Sequence, residues 1–334
     1  MKFYRKFTDQ KDTNLKALIS GVFNSLLFKI LGMIVGYVLT IFITNNYGAS
    51  AYGTLTLLLA ITGVFAVIPR FGLDDSLIRI VSGLKTVNLS SDISLVIKIM
   101  IPFVILMGSL FSASLYFLAG DISNKILDKD IGSLIRSCSV LVVILASTAI
   151  ASAFFQGMGK IKTFSFLDFT LQPSIFLLLL FFYDAEYSLH NLVNLAILAS
   201  IIHLILVFLL LMLSVFSLRV SYFEYSKTKK EYFKKIIRIS FPMLITASFL
   251  IIIQWTDVIM LGMFVPESDI GIYHVAQKLT ISAGLLLSAS CVVIAPKITE
   301  LYALGSMKAL EVFTMQSAKL IFFLSLPIIL ILII

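Results

Sequence analysis

The amino-acid sequence predicts an all-α polytopic membrane protein of about nine transmembrane helices, on three observations. The chain is 59% hydrophobic and only 13% charged over 334 residues, about half the charge of a soluble domain. Its apolar residues collect into nine runs near the ~20 residues that a bilayer-crossing helix needs. Its lysines and arginines concentrate in alternate connections between those runs. The net charge of +8 therefore sits between hydrophobic spans, a distribution that does not suit nucleic-acid binding.

A polar, basic leader, residues 1–16, precedes the first run at about Ala17–Thr44, which carries Lys29 in its middle. NNYGASAYG turns the chain into a second run at about Thr54–Ile68, expected to continue as helix through PRFGLDDSLIRI to the membrane surface. Further spans follow at about Ile93–Ala119, Ile131–Phe155, Phe164–Tyr183 and Leu189–Phe216. After a basic segment, Arg219 to Arg238, come runs at about Ile239–Phe264, Gly271–Ala295 and Leu310–Ile334.

One set of connections holds the basic leader, Lys85, Lys160, Lys162, the Arg219–Arg238 cluster, Lys297 and Lys308. The opposite set offers only Lys125 and Lys129, offset by Asp121, Asp128 and Asp130. The positive-inside rule then makes the N-terminus cytoplasmic. Nine spans would leave the C-terminus outside, and the chain stops at Ile334 within an apolar run, which suggests a truncated second half.

A faint internal repeat points the same way. ASAYGTLTLLLA opens the second span and SDIGIYHVAQKL opens the eighth, with Gly53 matching Gly271. Such parallel repeats occur in transporters. They divide the chain into a six-helix lobe, 1–216, and a partial C-terminal lobe of about three helices, 217–334.

Catalytic signatures are missing. No nucleophile elbow, phosphate-binding loop, dinucleotide fingerprint or histidine metal pair occurs, so neither an enzyme nor a cofactor or metal site is expected. The two cysteines, Cys138 and Cys291, lie within apolar runs and do not form a disulfide framework. Ionisable residues inside spans are the candidates that remain, because they are costly in lipid and tend to face a cavity. Lys29, Arg70 and Arg79 are the basic set of the first lobe, and Asp168 is its deep acid, one turn before Gln172. Asp257 and Lys278 flank the polar turn Pro266–Asp269. Taking the turn centre near Glu267, each stands about ten residues, roughly 15 Å, down its helix, and the two are expected to pair. Structural pairing and cavity lining remain equal readings for them.

Three stretches, YGASAYGTLTLLLA (47–60), IPRFGLDDSLIR (68–79) and TDVIMLGMFVPESDIGIYHVAQKL running on to VIAPKITELYALG (293–305), carry a resemblance. In their order and spacing the chain resembles the polysaccharide-flippase branch of the multidrug/oligosaccharidyl-lipid/polysaccharide (MOP) exporter superfamily, the Wzx-like O-antigen translocases. The resemblance implies a MATE-like, two-lobe transporter whose second lobe is here incomplete. It implies a flippase that moves an undecaprenyl-diphosphate type lipid-linked oligosaccharide, as in lipopolysaccharide or other surface polysaccharide synthesis, by alternating access.

Lys29, Arg70 and Arg79 would then contact the diphosphate, since fixed cations in a low-dielectric cavity suit phosphate. Asp257, Lys278 and Asp168 would gate the cavity or couple transport to H+ or Na+. A MATE-type drug/cation antiporter is the alternative, for which acidic groups are expected in the first-lobe interior. A membrane-embedded polysaccharide polymerase is the third reading, and it would need a large outer loop that the sequence lacks.

Overall fold

The computed structural model describes residues 2–86, 89–183, 187–217 and 228–281, with single positions between 307 and 326. Helix is the only regular structure among them. Helix α1 runs Lys2–Arg70 and reverses at Gly48, whose φ of 88° is open to glycine and strained for other residues. Thr40 Oγ1 and Tyr52 Oη lie 3.3 Å apart, whereas twelve residues of straight helix would separate them by about 18 Å. The chain therefore doubles back at Gly48, with a first limb before it and a second limb after it.

Next come α2 (Leu73–Thr86) and α3 (Ser90–Asp121). A π-helical turn (Ile122–Ile126) leads to α4 (Gly132–Cys138) and α5 (Val140–Gly157). Helix α6 (Ile161–Ser165) passes through a second π turn (Phe166–Leu171) into α7 (Gln172–Phe182). The long helices α8 (Leu189–Ser217) and α9 (Lys229–Phe264) follow, and residues 267–281 form a further helix, α10.

Six described segments are long and apolar enough to cross a membrane: Phe23–Arg70, Ser91–Ile126, Gly132–Gly157, Ile161–Phe182, Leu189–Ser217 and Lys230–Phe264. The first has 48 residues, about 72 Å of helix, and its reversal at Gly48 makes it two crossings. The described segments thus match seven of the nine expected spans. The eighth is described only as far as Ile281, the ninth only at single positions, and Lys297 lies outside the described residues.

One expectation is corrected. The second span does not continue through PRFGLDDSLIRI. It stops at Arg70, Phe71 and Gly72 take left-handed φ values of 51° and 63°, and α2 restarts at Leu73. Pro69 near the end of α1, and Asp74 and Asp75 in the first turn of α2, account for the break. The carboxylates favour a new helix N-terminus through the helix dipole.

Helix α5 is the hub. Its most apolar window is 78% buried, against 11% for that of α9. One apolar cluster packs the second limb of α1 against α5, α7 and α8, and reaches Val258 and Ile270. The other joins α2, α3 and α5 to Tyr232 and Ile236 at the start of α9. There a hydrogen bond of 2.7 Å, Ser240 Oγ to Ser76 Oγ, is buried. Outward faces carry large apolar side chains such as Ile253, Phe264 and Phe216, as contact with lipid requires.

Candidate functional site

The residues of interest converge where α10 meets the two limbs of α1. On the first limb, Lys29, Gly36 and Thr40 are seven and four residues apart and share one helical face. The reversal at Gly48 brings Tyr52 and Thr56 of the second limb opposite them. Helix α10 lays His274 and Lys278, one turn apart, against both limbs, and α7 adds Gln172 and Phe176. Apart from Lys29 and Gly36, these residues line a cavity of about 180 Å³, room for several water molecules.

Among the described residues, Lys278 is its only charged lining residue. Its Nζ donates to Thr40 Oγ1 at 2.8 Å, to Gly36 O at 3.3 Å and to Tyr52 Oη at 3.4 Å. It also stands 5.8 Å from the centre of the Tyr52 ring, within cation–π range. Tyr52 Oη lies 2.9 Å from His274 Nδ1, with Thr56 Oγ1 3.4 Å from the same nitrogen. Trp255 stacks on His274, with ring centroids 6.3 Å apart at 18°. The side-chain bonds of Lys278 all run from α10 to α1, and Tyr37 Oη returns one to Lys278 O at 3.1 Å. Ion pairs among the described residues are Lys125–Asp121 and Lys129–Glu267. The Lys278 amine is thus oriented by neutral oxygens and paired with no acid among the described residues.

Asp257 does not reach it. Asp257 is exposed and accepts a 2.9 Å hydrogen bond from Tyr273 Oη. The reason is the turn: α9 ends at Phe264 and α10 begins at 267. Its centre is therefore near Val265, not Glu267. Asp257 then matches Tyr273 in depth, and Lys278 lies about five residues, roughly 7 Å, deeper.

Toward the Gly72 end, Lys29 places its ammonium 4.9 Å from the centre of the Phe169 ring. Asp168 sits beside Phe169 in the second π turn, and Arg70, Asp74 and Lys29 all act on it electrostatically. Arg70 Nε is buried without a hydrogen-bond partner. The structure thus brings Lys29, Arg70 and Asp168 into one cluster. Arg79 stands apart on the exposed face of α2. His203 is a packing residue, its Nε2 donating to Leu167 O of the π turn at 3.0 Å.

At the Gly48 end a second set of contacts seals α10 to the first helices. Lys129 Nζ meets Glu267 Oε1 at 3.0 Å and donates to Val265 O at 2.9 Å. Ser123 holds the Lys129 segment through hydrogen bonds in both directions, including its Oγ to Lys129 O. Burial pushes the Glu267 carboxyl up, but its backbone hydrogen bond and the Lys129 ammonium outweigh this and hold it below its ordinary value. Sequence reasoning does not single out Tyr52, Thr40, Thr56, Lys129 or Glu267 as site residues. Tyr52 lies inside the YGASAYG stretch, and Thr40 keeps helical spacing with Gly36 and Lys29.

Comparison with known proteins fits this geometry. The family model for polysaccharide biosynthesis proteins matches residues 18–302. No curated protein matches the chain in sequence. Among solved structures, the chain is similar to an inward-facing MATE family multidrug resistance transporter of the MOP superfamily. The TM-score is 0.64 at 12% identity, over 90% of this chain and 70% of the other. It is similar to the MATE multidrug transporter DinF-BH, solved in complex with a ligand, with TM-score 0.61 at 12% identity over 91% and 69%. A MOP superfamily transporter from Pyrococcus furiosus, described by the reverse polarity of its binding pocket, matches with TM-score 0.50 at 13% identity over 86% and 73%. The fold is thus that of MATE transporters, of whose length the chain spans about seven tenths. The chain belongs to the polysaccharide biosynthesis protein family.

Proposed function

We propose that the chain is a flippase that carries a lipid-diphosphate-linked oligosaccharide across the bacterial cytoplasmic membrane, by alternating access between lobes 1–216 and 217–334. The observation that carries this reading is Lys278. An ammonium withdrawn from water without a counter-ion is costly, and hydrogen bonds from neutral oxygens orient it without neutralising it. An anionic headgroup would neutralise it. The Tyr52 hydroxyl and the amide of Gln172 line the same cavity and can donate to phosphate, whereas the hydroxyls of Thr40 and Thr56 already donate to Gly36 O and Tyr52 O.

Lys29 and Arg70 add positive charge further along the same route, and Arg79 lies at its exposed margin. Asp257, whose carboxylate is exposed, is the group open to an exchanging proton or sodium ion. The meeting of the repeat-matched glycines supports the two lobes. A Cβ built on Gly271 would lie 3.2 Å from Gly53 N.

The MATE fold also suits a drug/cation antiporter, but a chamber whose single charge is positive disfavours a cationic ligand. Binding to the purified protein in nanodiscs separates the two. Farnesyl diphosphate should raise the melting temperature, by an amount equivalent to about 2.7 kcal/mol at a hundredfold excess over Kd. A lipophilic cation such as tetraphenylphosphonium should not, and Lys278→Ala should abolish the diphosphate effect. Stabilisation by the cation alone would overturn the flippase reading.

A further inference from the structure

Beyond the Lys278 chamber, toward the Gly72 end, the first limb and the Ile161–Phe182 segment each carry a stripe of residues at helical spacing. On the first limb the stripe runs Thr40, Gly36, Lys29. On the Ile161–Phe182 segment it runs Phe176, Gln172, Asp168, the last step being about one turn, or roughly 6 Å.

The π turn Phe166–Leu171 sets where Asp168 stands. Three contacts hold that turn. Thr170 Oγ1 donates to Phe28 O at 2.9 Å, the Phe169 backbone lies against Gly32, and His203 supplies its bond to Leu167 O from α8. Single π turns inside helices are frequently found at functional sites.

The charges at this end balance. Lys29 and Arg70 are positive, Asp168 and Asp74 negative, and they act on one another across the cluster. Yet among the described residues neither Lys29 nor Arg70 forms an ion pair with Asp168. Asp168 is exposed and has no hydrogen bond among them, and Arg70 Nε is buried with none. A buried guanidinium N–H left without a partner, as at Arg70 Nε, is costly unless something fills it, and the exposed Asp168 carboxylate within its electrostatic reach is open to a ligand. A second anion does not suit this place, because Asp168 repels it. A neutral group bearing several hydroxyls does, since it donates to the carboxylate and accepts from the guanidinium and ammonium.

We infer that Asp168, with Arg70 and Lys29, forms a sugar subsite that takes the first hydroxyl-bearing ring of the headgroup while Lys278 takes its phosphate. This rests on the flippase reading and adds to it a means of discrimination. A glycosylated lipid diphosphate fills both subsites, a bare one only the first. It also assigns Asp168 to the ligand and not to ion coupling.

The test compares the affinity of the purified protein for farnesyl diphosphate and for the same compound carrying one neutral hexose. The parent protein should bind the glycosylated compound at least about tenfold more tightly, the effect of one hydrogen bond to a charged group. Asp168→Ala should bring that ratio close to one while leaving affinity for the bare diphosphate within about threefold. Asp168→Asn, which keeps the shape and retains the fold, should lower the ratio part of the way. Lys278→Ala should weaken both compounds alike. A ratio near one in the parent, or a ratio unmoved by both Asp168 variants, overturns the sugar subsite. Provided Lys278→Ala still weakens both, the flippase reading survives that result. If Lys278→Ala weakens neither, the flippase reading fails instead.

Discussion

Gly53→Ala puts the closure of the Gly48 end to a quantitative test. A Cβ on Gly53 would lie 1.7 Å from Glu267 O and 2.9 Å from Gly271 N, where real contacts stay beyond 3.0 Å. The α9–α10 hairpin must therefore retreat by about 1.3 Å or more, and both obstacles are backbone that cannot rotate away. That retreat stretches the 3.0 Å Lys129–Glu267 pair beyond 4 Å and slackens the Lys278 bonds to Thr40 and Gly36. Overpacking a close contact costs about 1–3 kcal/mol, and a partly exposed ion pair adds at most about 1 kcal/mol. The expected loss is thus about 1–4 kcal/mol, a fall in melting temperature of roughly 2–6 °C for a chain of this size. Trp255, the single tryptophan, stacks on His274 at this interface and reports the unfolding by its own fluorescence. Gly83→Ala is the control, because a Cβ there meets nothing within 4 Å and alanine suits a helix interior. Gly53→Ala melting with the parent would refute the closure described here.

Two further outcomes follow from the same geometry. Glu267 is held below its ordinary carboxyl value of 4.5, so its stabilising contribution is whole above that pH and drains away as pH falls below it. Thermal melts between pH 7 and 3.5 should show Glu267→Gln losing part of the acid sensitivity of the parent, and identical slopes would remove the Lys129–Glu267 pair from the account. His203→Ala deprives Leu167 O of its donor and should cost about 1–3 kcal/mol. His203→Gln should recover part of this, and no loss in the alanine variant would show that the π turn does not depend on α8.

The spans are legible in the sequence because long apolar runs are a local property, and most described boundaries fall within a few residues of those expected, with larger departures at Phe23, Ile126 and Lys230. At the last of these the helix α9 begins within the basic segment, started by a capping box between Thr228 and Glu231. The break at Phe71–Gly72 is less legible, since helix and turn compete there and the acidic first turn of α2 decides. Asp257 and Lys278 stand on neighbouring helices as expected, but a two-residue difference in the turn centre changes their partners.

The chamber itself is only half visible in the sequence. His274, Lys278 and Gln172 can be found as polar residues in apolar runs. Thr40, Tyr52 and Thr56 cannot, because a single hydroxyl can bond back to its own helix, as Thr40 does to Gly36 O and Thr56 to Tyr52 O. Only the reversal at Gly48 brings them together. The π turn at Asp168 is equally invisible, being fixed by contacts from α1 and α8.

The central claim is that Lys278 holds an anionic lipid headgroup during its passage across the membrane. Its most direct test is translocation in proteoliposomes, using a fluorescent glycosyl polyprenyl diphosphate quenched from outside by a membrane-impermeant reductant. The account predicts that the parent protein renders the inner-leaflet pool accessible to the quencher, and that Lys278→Ala, folded and inserted to the same level, does not. Equal translocation by the two proteins would contradict it.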